Sequence, residues 1–169
     1  FPTRRSSDLG QMDAARRALQ TGTNSPSASA RARVRTSMRD HLRAVVERLE
    51  SDGARDPMVR VLLGLAGGGT LASIITRESA ELLGLAAGLP VLALCKATAV
   101  RVHAAEAAAP MGGNRLPGRV LRVSRGVQRD EVVVTLAGDQ QLVGFAARPN
   151  RLRAGSRADA VLDDSAVVL

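Results

Sequence analysis

Three short segments, residues 36–39, 75–79 and 96–98, carry side chains that could bind a small anion. A tetrahedral oxyanion needs hydrogen-bond donors from several directions and modest positive charge, which hydroxyls, backbone N–H groups and one or two cations supply. Hydrogen bonds from a cation to such oxygens are roughly twice as strong as neutral ones. The candidate donors are Ser37, Arg39, Thr76, Ser79, Lys96 and Thr98.

Lys96 is the single lysine among 24 basic residues, all the others being arginine. A compact ammonium group fits a small oxyanion, whereas the planar guanidinium fork of arginine is larger. Lys96 is therefore a candidate cation for such a site. The alternative is that the lysine at position 96 arose by chance and has no role in binding.

Other kinds of chemical site find little support. The chain has one cysteine and two histidines, and His41 and His103 have no further ligand at metal-binding spacing. The glycine-rich residues 64–70 lack the Lys-Ser/Thr pair that ends a phosphate-binding loop. Cys95 lies in an apolar segment and is expected to be buried and inert. We expect neither an enzyme nor a metal centre nor a redox cofactor.

The net charge of +8 raises the question of a polyanionic partner. The arginines are spread along the chain instead of clustered, and an aromatic content of 1% argues against stacking with single-stranded nucleic acid. Glycines and a proline interrupt the longest apolar run, residues 82–95, which is shorter than the roughly 20 residues that span a bilayer. With no export signal either, we expect a cytoplasmic protein without a membrane partner.

The N-terminal part is expected to lie outside the folded domains. Residues 1–9, FPTRRSSDL, correspond to one reading frame of a common short-read sequencing adapter and are interpreted as an artefact. Residues 10–34 are interpreted as the remnant of a helix followed by a Ser/Ala/Gly/Pro linker. An N-terminal domain is therefore expected to be missing from this chain.

An internal repeat is the strongest structural signal in the remaining sequence. Residues 61–67 (VLLGLAG) align with 132–138 (VVVTLAG), and 40–44 align with 114–118. The repeat predicts two domains, at 35–104 and 111–169, each with five short strands and one short helix. The expected fold is mainly β, with two tandem small OB-like β-barrels that pack together.

Several motifs of the first copy resemble the molybdate-binding Mop (TOBE) domain. TSMRDHL at 36–42 resembles its TSARNQL opening, ITRES at 75–79 its ITxES segment, LLGL at 82–85 its LGL element, and KAT at 96–98 its KAS/KAT strand end. NRLPG at 114–118 is similar to the NQLPG that opens a second copy. In order and spacing, residues 35–169 resemble the C-terminal di-Mop half of ModE-type molybdate-dependent transcriptional regulators.

The resemblance implies molybdate or tungstate as the bound ligand. It implies a binding site at Ser37, Arg39, Thr76, Ser79, Lys96, Ala97 and Thr98. It also implies a homodimer that contacts DNA only through an N-terminal winged helix, which this chain lacks. Asp40 and Met38 depart from the asparagine and alanine of the motif. The extra carboxylate of Asp40 could weaken anion binding or pair with Arg39.

The second copy lacks the residues that would make it a second anion site. The repeat alignment places Met111, Gly113, Ala147, Asn150, Asp163 and Ser165 at the candidate positions. Both cations are lost, and a carboxylate, which would repel a dianion, replaces Lys96. The first copy is therefore expected to bind the anion, and the second to be structural.

Three other functions remain open beside the regulator. A stand-alone molbindin-like storage protein would have the same barrels without a DNA-binding part. The accessory domain of a transport ATPase would need nucleotide-binding motifs upstream. An OB-fold that binds nucleic acid suits the positive charge but lacks the aromatic side chains.

Overall fold

The computed structural model describes residues 37–105, 107 and 112–169. The expected artefact at 1–9 and the expected helix remnant and linker at 10–34 lie outside the described residues. In the described part, ten strands and one α-helix follow each other along the chain. They are β1 (Asp40–Glu50), β2 (Met58–Leu65), β3 (Thr70–Thr76), α1 (Arg77–Leu82), β4 (Pro90–Cys95), β5 (Arg101–Ala104), β6 (Asn114–Ser124), β7 (Arg129–Leu136), β8 (Gln141–Ala147), β9 (Arg157–Leu162) and β10 (Val167–Val168).

The strands form two five-stranded units, as the repeat predicts. The first has the order β10-β4-β1-β2-β3, and the second is a closed barrel with the order β5-β8-β7-β6-β9. The fold is therefore mainly β, with two tandem OB-like barrels. Over the described residues, every helix is too short or too polar to cross a bilayer.

The two sequence copies exchange their last strands. β5 belongs to the first copy but pairs with β9 and β8 of the second barrel, with Arg101 opposite both Val161 and Phe145. β10 belongs to the second copy but pairs with β4, and the Ser73 hydroxyl donates to the Val167 carbonyl at 2.7 Å. Each barrel is thus completed by the other copy, so neither copy forms its own barrel alone.

The two copies repeat the same strand register. Ala44 pairs with Leu65 in the first barrel, and Gly118 pairs with Leu136 in the second. Each long first strand has a register shift at the equivalent place, between Val46 and Arg48 in β1 and between Val120 and Arg122 in β6. Such bulges bend a strand and increase its twist, which lets a short sheet close on itself.

The barrel interiors follow from alternating sequence patterns. In β1 the side chains of Leu42, Ala44 and Val46 point inward, and those of His41 and Arg43 are exposed. Period-2 alternation is typical of a strand with one buried face. The buried side chains of both barrels form one continuous hydrophobic cluster, because the exchanged strands contribute to both cores.

The single α-helix among the described residues forms where the sequence provides a cap and enough residues. Thr76 is the N-cap of α1, and its hydroxyl oxygen accepts from the Ser79 N–H at 3.1 Å. Gly84 follows the helix with a φ of 60°. The equivalent connection of the second copy, 148–154, is shorter than 77–87. The short helices of that copy are 3-10 turns at Ala137–Asp139 and Asp164–Ala166.

Candidate functional site

Four candidate residues lie at one end of the first barrel. Asp40, the first residue of β1, pairs with Cys95, the last residue of β4. Residues 37–39 and residues 96–98 therefore leave the sheet at the same end of these two strands. Lys96 precedes the 3-10 turn Ala97–Ala99. The side chains of Ser37, Arg39, Lys96 and Thr98 are exposed there, whereas Ala97 is buried. We call this group of four exposed residues the cation end.

Two candidate residues lie on the N-terminal turn of α1. The Thr76 hydroxyl donates to Ser79 Oγ at 2.8 Å and accepts from the Ser79 N–H. This pair, which we call the hydroxyl end, is accessible to solvent: Thr76 is exposed and Ser79 half-buried. The pair therefore caps the helix, and the hydrogen of the Ser79 hydroxyl remains available to an acceptor outside the chain.

The strand register places the cation end and the hydroxyl end far apart in one chain. Thr76 pairs with Met58, and two residues further along β2, Arg60 pairs with Glu50 at the last position of β1. The cation end lies before Asp40, the first residue of that strand. The 11 residues of β1 correspond to roughly 35 Å of strand path at about 3.3 Å per residue. The bulge bends this path, but the two groups remain at opposite ends of the barrel.

Arg39 is held by a carboxylate of the second barrel. Its guanidinium donates to Glu131 Oε2 at 2.8 Å, and Arg122 lies 3.7 Å from Glu131 Oε1. The hydrogen bond from Arg39, with its charge, lowers the pKa of Glu131, so this carboxylate is ionised at neutral pH. Arg39 thus already has a negatively charged partner, and that partner is not the neighbouring Asp40.

Lys96 differs from Arg39 in having no such partner. Within the described part of the chain, its ammonium group makes no hydrogen bond or ion pair, and its side chain is exposed. An ammonium with three free donors, at the same barrel end as an arginine and two hydroxyl residues, is suited to receive an oxyanion. Lys96 is therefore the cation that is available to a ligand without breaking an internal contact.

The equivalent positions of the second copy are used for internal contacts. Asp163 Oδ1 accepts from the Ser165 N–H at 2.9 Å and from the Ser165 hydroxyl at 2.6 Å, which lowers the pKa of Asp163. Asn150 Nδ2 donates to the buried Asp130 at 2.8 Å. Gly113 and Ala147 have no side-chain donors, and Met111 lies outside the described residues. These contacts support a structural role for the second copy.

Cys95 ends β4, between β1 and β10 of the first barrel, and is buried. Burial, together with the charge of Asp40, raises the pKa of its thiol to about 12, so the thiol is neutral. Among the described residues, no group of three or more His, Cys, Asp or Glu side chains could hold a metal ion.

Sequence reasoning missed the residues that connect the barrels beside the candidate site. Glu131 lies 92 positions from Arg39, and nothing in the local pattern links the two. Gln140 is a second case, because its side chain accepts from the Arg43 N–H at 2.6 Å and donates to the Arg43 carbonyl at 3.2 Å. The available signal was that Gln140 is a polar residue between two predicted strands of the second copy.

Known proteins share both the sequence and the fold of this region. The TOBE domain family matches residues 36–102. The transcriptional regulator ModE of Yersinia pestis is 43% identical over 72 residues, which are 43% of this chain and 27% of that protein. The DNA-binding transcriptional dual regulator ModE of Escherichia coli K12 is 39% identical over 79 residues, 46% of this chain and 30% of that protein. The matches thus span less than a third of these relatives.

A solved structure covers both barrels. The cytoplasmic molybdate-binding protein ModG, with molybdate bound, superposes with a TM-score of 0.70 at 29% sequence identity. The match covers 79% of this chain and 96% of that one. Residues 36–102 therefore match the TOBE domain family, and the described part of the chain shares the tandem-barrel fold of ModG.

Proposed function

We propose that this chain is the molybdate-binding part of a molybdate-responsive transcriptional regulator, whose DNA-binding winged helix lies outside it. The observation that carries the proposal is the exposed Lys96 ammonium, which has no partner in the described part of the chain. It lies at the barrel edge with Arg39 and the hydroxyls of Ser37 and Thr98. The similarity to ModE over the TOBE region supports the regulatory role.

The proposed role is binding without catalysis. Molybdate would be held as an oxyanion by hydrogen bonds from ammonium, guanidinium and hydroxyl groups, and no side chain would coordinate its central atom. Tungstate has nearly the same size and charge and would occupy the same site. Calorimetric titration of the chain with molybdate, tungstate and sulfate tests this proposal. If the chain binds neither molybdate nor tungstate, the proposal is wrong.

We propose a homodimer because one chain separates the cation end from the hydroxyl end. In a twofold-symmetric dimer, the hydroxyl end of one chain can complete the cation end of its partner, and the same contact then occurs twice. Thr76 and Ser79 would thereby contribute to the site although they lie far from Lys96 in their own chain. Each dimer would hold two anions.

Mixing two defective variants tests whether two chains share a site. Lys96→Asp destroys the cation end, and Thr76→Ala/Ser79→Ala destroys the hydroxyl end, so each variant alone is expected to bind molybdate poorly. Mixed dimers would contain one intact site. Random mixing makes about half of the dimers mixed, so titration should recover about a quarter of the parental binding sites.

Thr76→Ala also removes a helix cap, at a cost of about 1 kcal/mol, and thermal melting verifies that the variant remains folded. Equal mixtures that bind no more molybdate than the separate variants would exclude a shared site. Strong binding by the Thr76→Ala/Ser79→Ala variant alone would show that the cation end suffices.

Glu131 is expected to compete with the ligand for Arg39. Glu131→Gln removes a negative charge from the ligand's neighbourhood and leaves Arg39 free to bind it. Exposed charge pairs contribute up to about 1 kcal/mol, so molybdate affinity should rise about three- to fivefold in calorimetry. Glu47→Gln, an exposed carboxylate elsewhere on β1, is the control for net charge. A fall in affinity would mean that Glu131 holds Arg39 in its binding position.

The second candidate function is a stand-alone molybdate store in the cytoplasm. It is favoured by the match to ModG, of which the aligned part of this chain covers 96%. Gel-shift titration of the protein encoded at the intact locus separates the two functions. A regulator will show DNA binding that depends on molybdate, whereas a storage protein will bind the anion and leave DNA free.

A further inference from the structure

Among the side chains that join the two barrels, Asn114 and Asp40 stand at equivalent positions of the repeat. Asn114, the first residue of β6, is buried and contacts the backbone of Ala72 in β3. Its Oδ1 accepts from the Ala72 N–H at 2.6 Å, and its Nδ2 donates to the Ala72 carbonyl at 2.8 Å. The amide therefore satisfies both backbone groups of one residue in the other barrel.

Asp40, the first residue of β1, makes only half of the equivalent contact. Its Oδ1 accepts from the Val143 N–H at 2.7 Å, and Val143 in β8 is the counterpart of Ala72. Its Oδ2 is buried and has no hydrogen-bond partner among the described residues. The N–H and C=O of a strand residue point to the same side, so the Val143 carbonyl faces this carboxyl group.

The contact of Asn114 with Ala72 and the contact of Asp40 with Val143, the two joints, differ in one hydrogen-bond donor. The Asn114 amide has N–H groups to donate, whereas an ionised carboxylate can only accept. Two acceptors facing each other in a buried joint are unfavourable, because each loses its hydrogen bonds to water. A proton on Oδ2 would turn the carboxyl of Asp40 into a donor and restore the geometry seen at Asn114.

No described group around Asp40 donates a hydrogen bond to Oδ2 in place of that proton. On β1 and just before it, His41 and Arg39 are exposed, and Arg39 is bound to Glu131. On β4, the neighbour is the neutral thiol of Cys95. β8 contains no titratable side chain. Burial raises the pKa of Asp40 to about 6, although the Val143 hydrogen bond and the charges of Arg39 and His41 act in the opposite direction.

We propose that Asp40 is a proton-dependent clamp between the barrels: its protonated carboxyl donates to the Val143 carbonyl and closes the joint as Asn114 does, and ionisation opens that hydrogen bond. The clamp does not depend on the proposed anion binding. It is linked to the cation end through the chain, since Arg39 directly precedes Asp40. A change at this joint therefore acts on the segment that leads into the cation end.

The sign of the pH dependence follows from the direction of the shift. The folded chain holds the Asp40 proton more tightly than the unfolded chain, in which this carboxyl has an ordinary pKa near 3.8. The contribution of the proton to stability is complete below about pH 4 and is lost as the pH rises through about 6. Above this range the joint contains an ionised, buried carboxylate.

Thermal melting of the full chain between about pH 4 and pH 8 tests the clamp, with Asp40→Asn as the first variant. Asparagine provides the missing donor at every pH. The melting temperature of Asp40→Asn should equal that of the parent near pH 4 and exceed it by roughly 5 °C above pH 7. A difference that stays constant over this pH range would overturn the proposal.

Asn114→Asp is the matched variant, because it places the same carboxyl in the second joint. It should melt close to the parent near pH 4 and well below it at neutral pH. If this variant does not fold at neutral pH, the comparison is made at acid pH, where the clamp is closed.

Infrared difference spectra of parent and Asp40→Asn give a second test: at about pH 5 the parent should show the band of a protonated carboxyl that the variant lacks. Absence of that band would contradict the proposal.

Discussion

Replacing Lys96 with aspartate is expected to lower the affinity for molybdate at least about tenfold and to leave the fold intact. The change removes a charge-assisted hydrogen bond, which costs on the order of 1.5–3 kcal/mol, and adds a repulsive charge. A loss of 1.4 kcal/mol corresponds to about a tenfold change in affinity. Lys96 is exposed and contacts no partner in the described residues, so its loss leaves no buried group unsatisfied.

Calorimetric titration and thermal melting, carried out together, measure this prediction. The reverse substitution in the second copy, Asp163→Lys, is the control. It should create no new site, because Gly113 and Ala147 still lack side-chain donors. It should also lower the melting temperature slightly, since the Asp163 carboxylate accepts from the Ser165 N–H at the start of a 3-10 turn. If Lys96→Asp binds molybdate like the parent, the cation end is not the anion site.

Gly138→Ala is expected to lower the free energy of unfolding by about 3 kcal/mol. Gly138 has a φ of 71°, and its equivalent in the first copy, Gly67, lies in direct contact with it. A Cβ on Gly138 would overlap the Ala66 carbonyl oxygen and lie 2.9 Å from Gly67 Cα. The left-handed backbone costs alanine about 1–2 kcal/mol, and overpacking adds about 1–3 kcal/mol. The contact is between backbones, so no side chain can rotate away to relieve it.

Denaturant unfolding of Gly138→Ala beside Gly84→Ala separates these two costs. Gly84 has a similar φ of 60°, but a Cβ there would have nothing within 4 Å. Gly84→Ala should therefore show only the backbone cost, about 1 kcal/mol. Equal destabilisation of the two variants would show that the barrels can move apart at Gly67 and Gly138.

The local sequence determined where most of the strands in each copy lie. The apolar, β-branched pattern predicts a strand at 58–65, and β2 is Met58–Leu65. The alternation in the second copy identifies residues 42–50 of the first as a strand, and β1 contains them. These features depend on which face of a strand is apolar and on the turns between neighbouring strands. Both are encoded by a few consecutive residues.

The sequence also predicts which residues carry the anion chemistry. A repeat with one intact and one altered set of donors distinguishes the first copy from the second without any coordinates. The structure adds that Asp163 and Asn150 make internal hydrogen bonds. This distinction needs only residue type and repeat position, because the negative charge of a carboxylate repels a dianion whatever the surrounding fold.

Only the tertiary structure decided how these residues are arranged. β5 and β10 are short strands of two to four residues, and no local pattern assigns either of them to one barrel. Their exchange between the copies is seen only in the folded chain. The separation of Lys96 from Thr76 follows from register around a closed sheet. The partners Glu131 and Val143 are brought to Arg39 and Asp40 from 92 and 103 positions away. Their effect depends on burial and distance in the folded barrels, which exist only after the two copies have packed together.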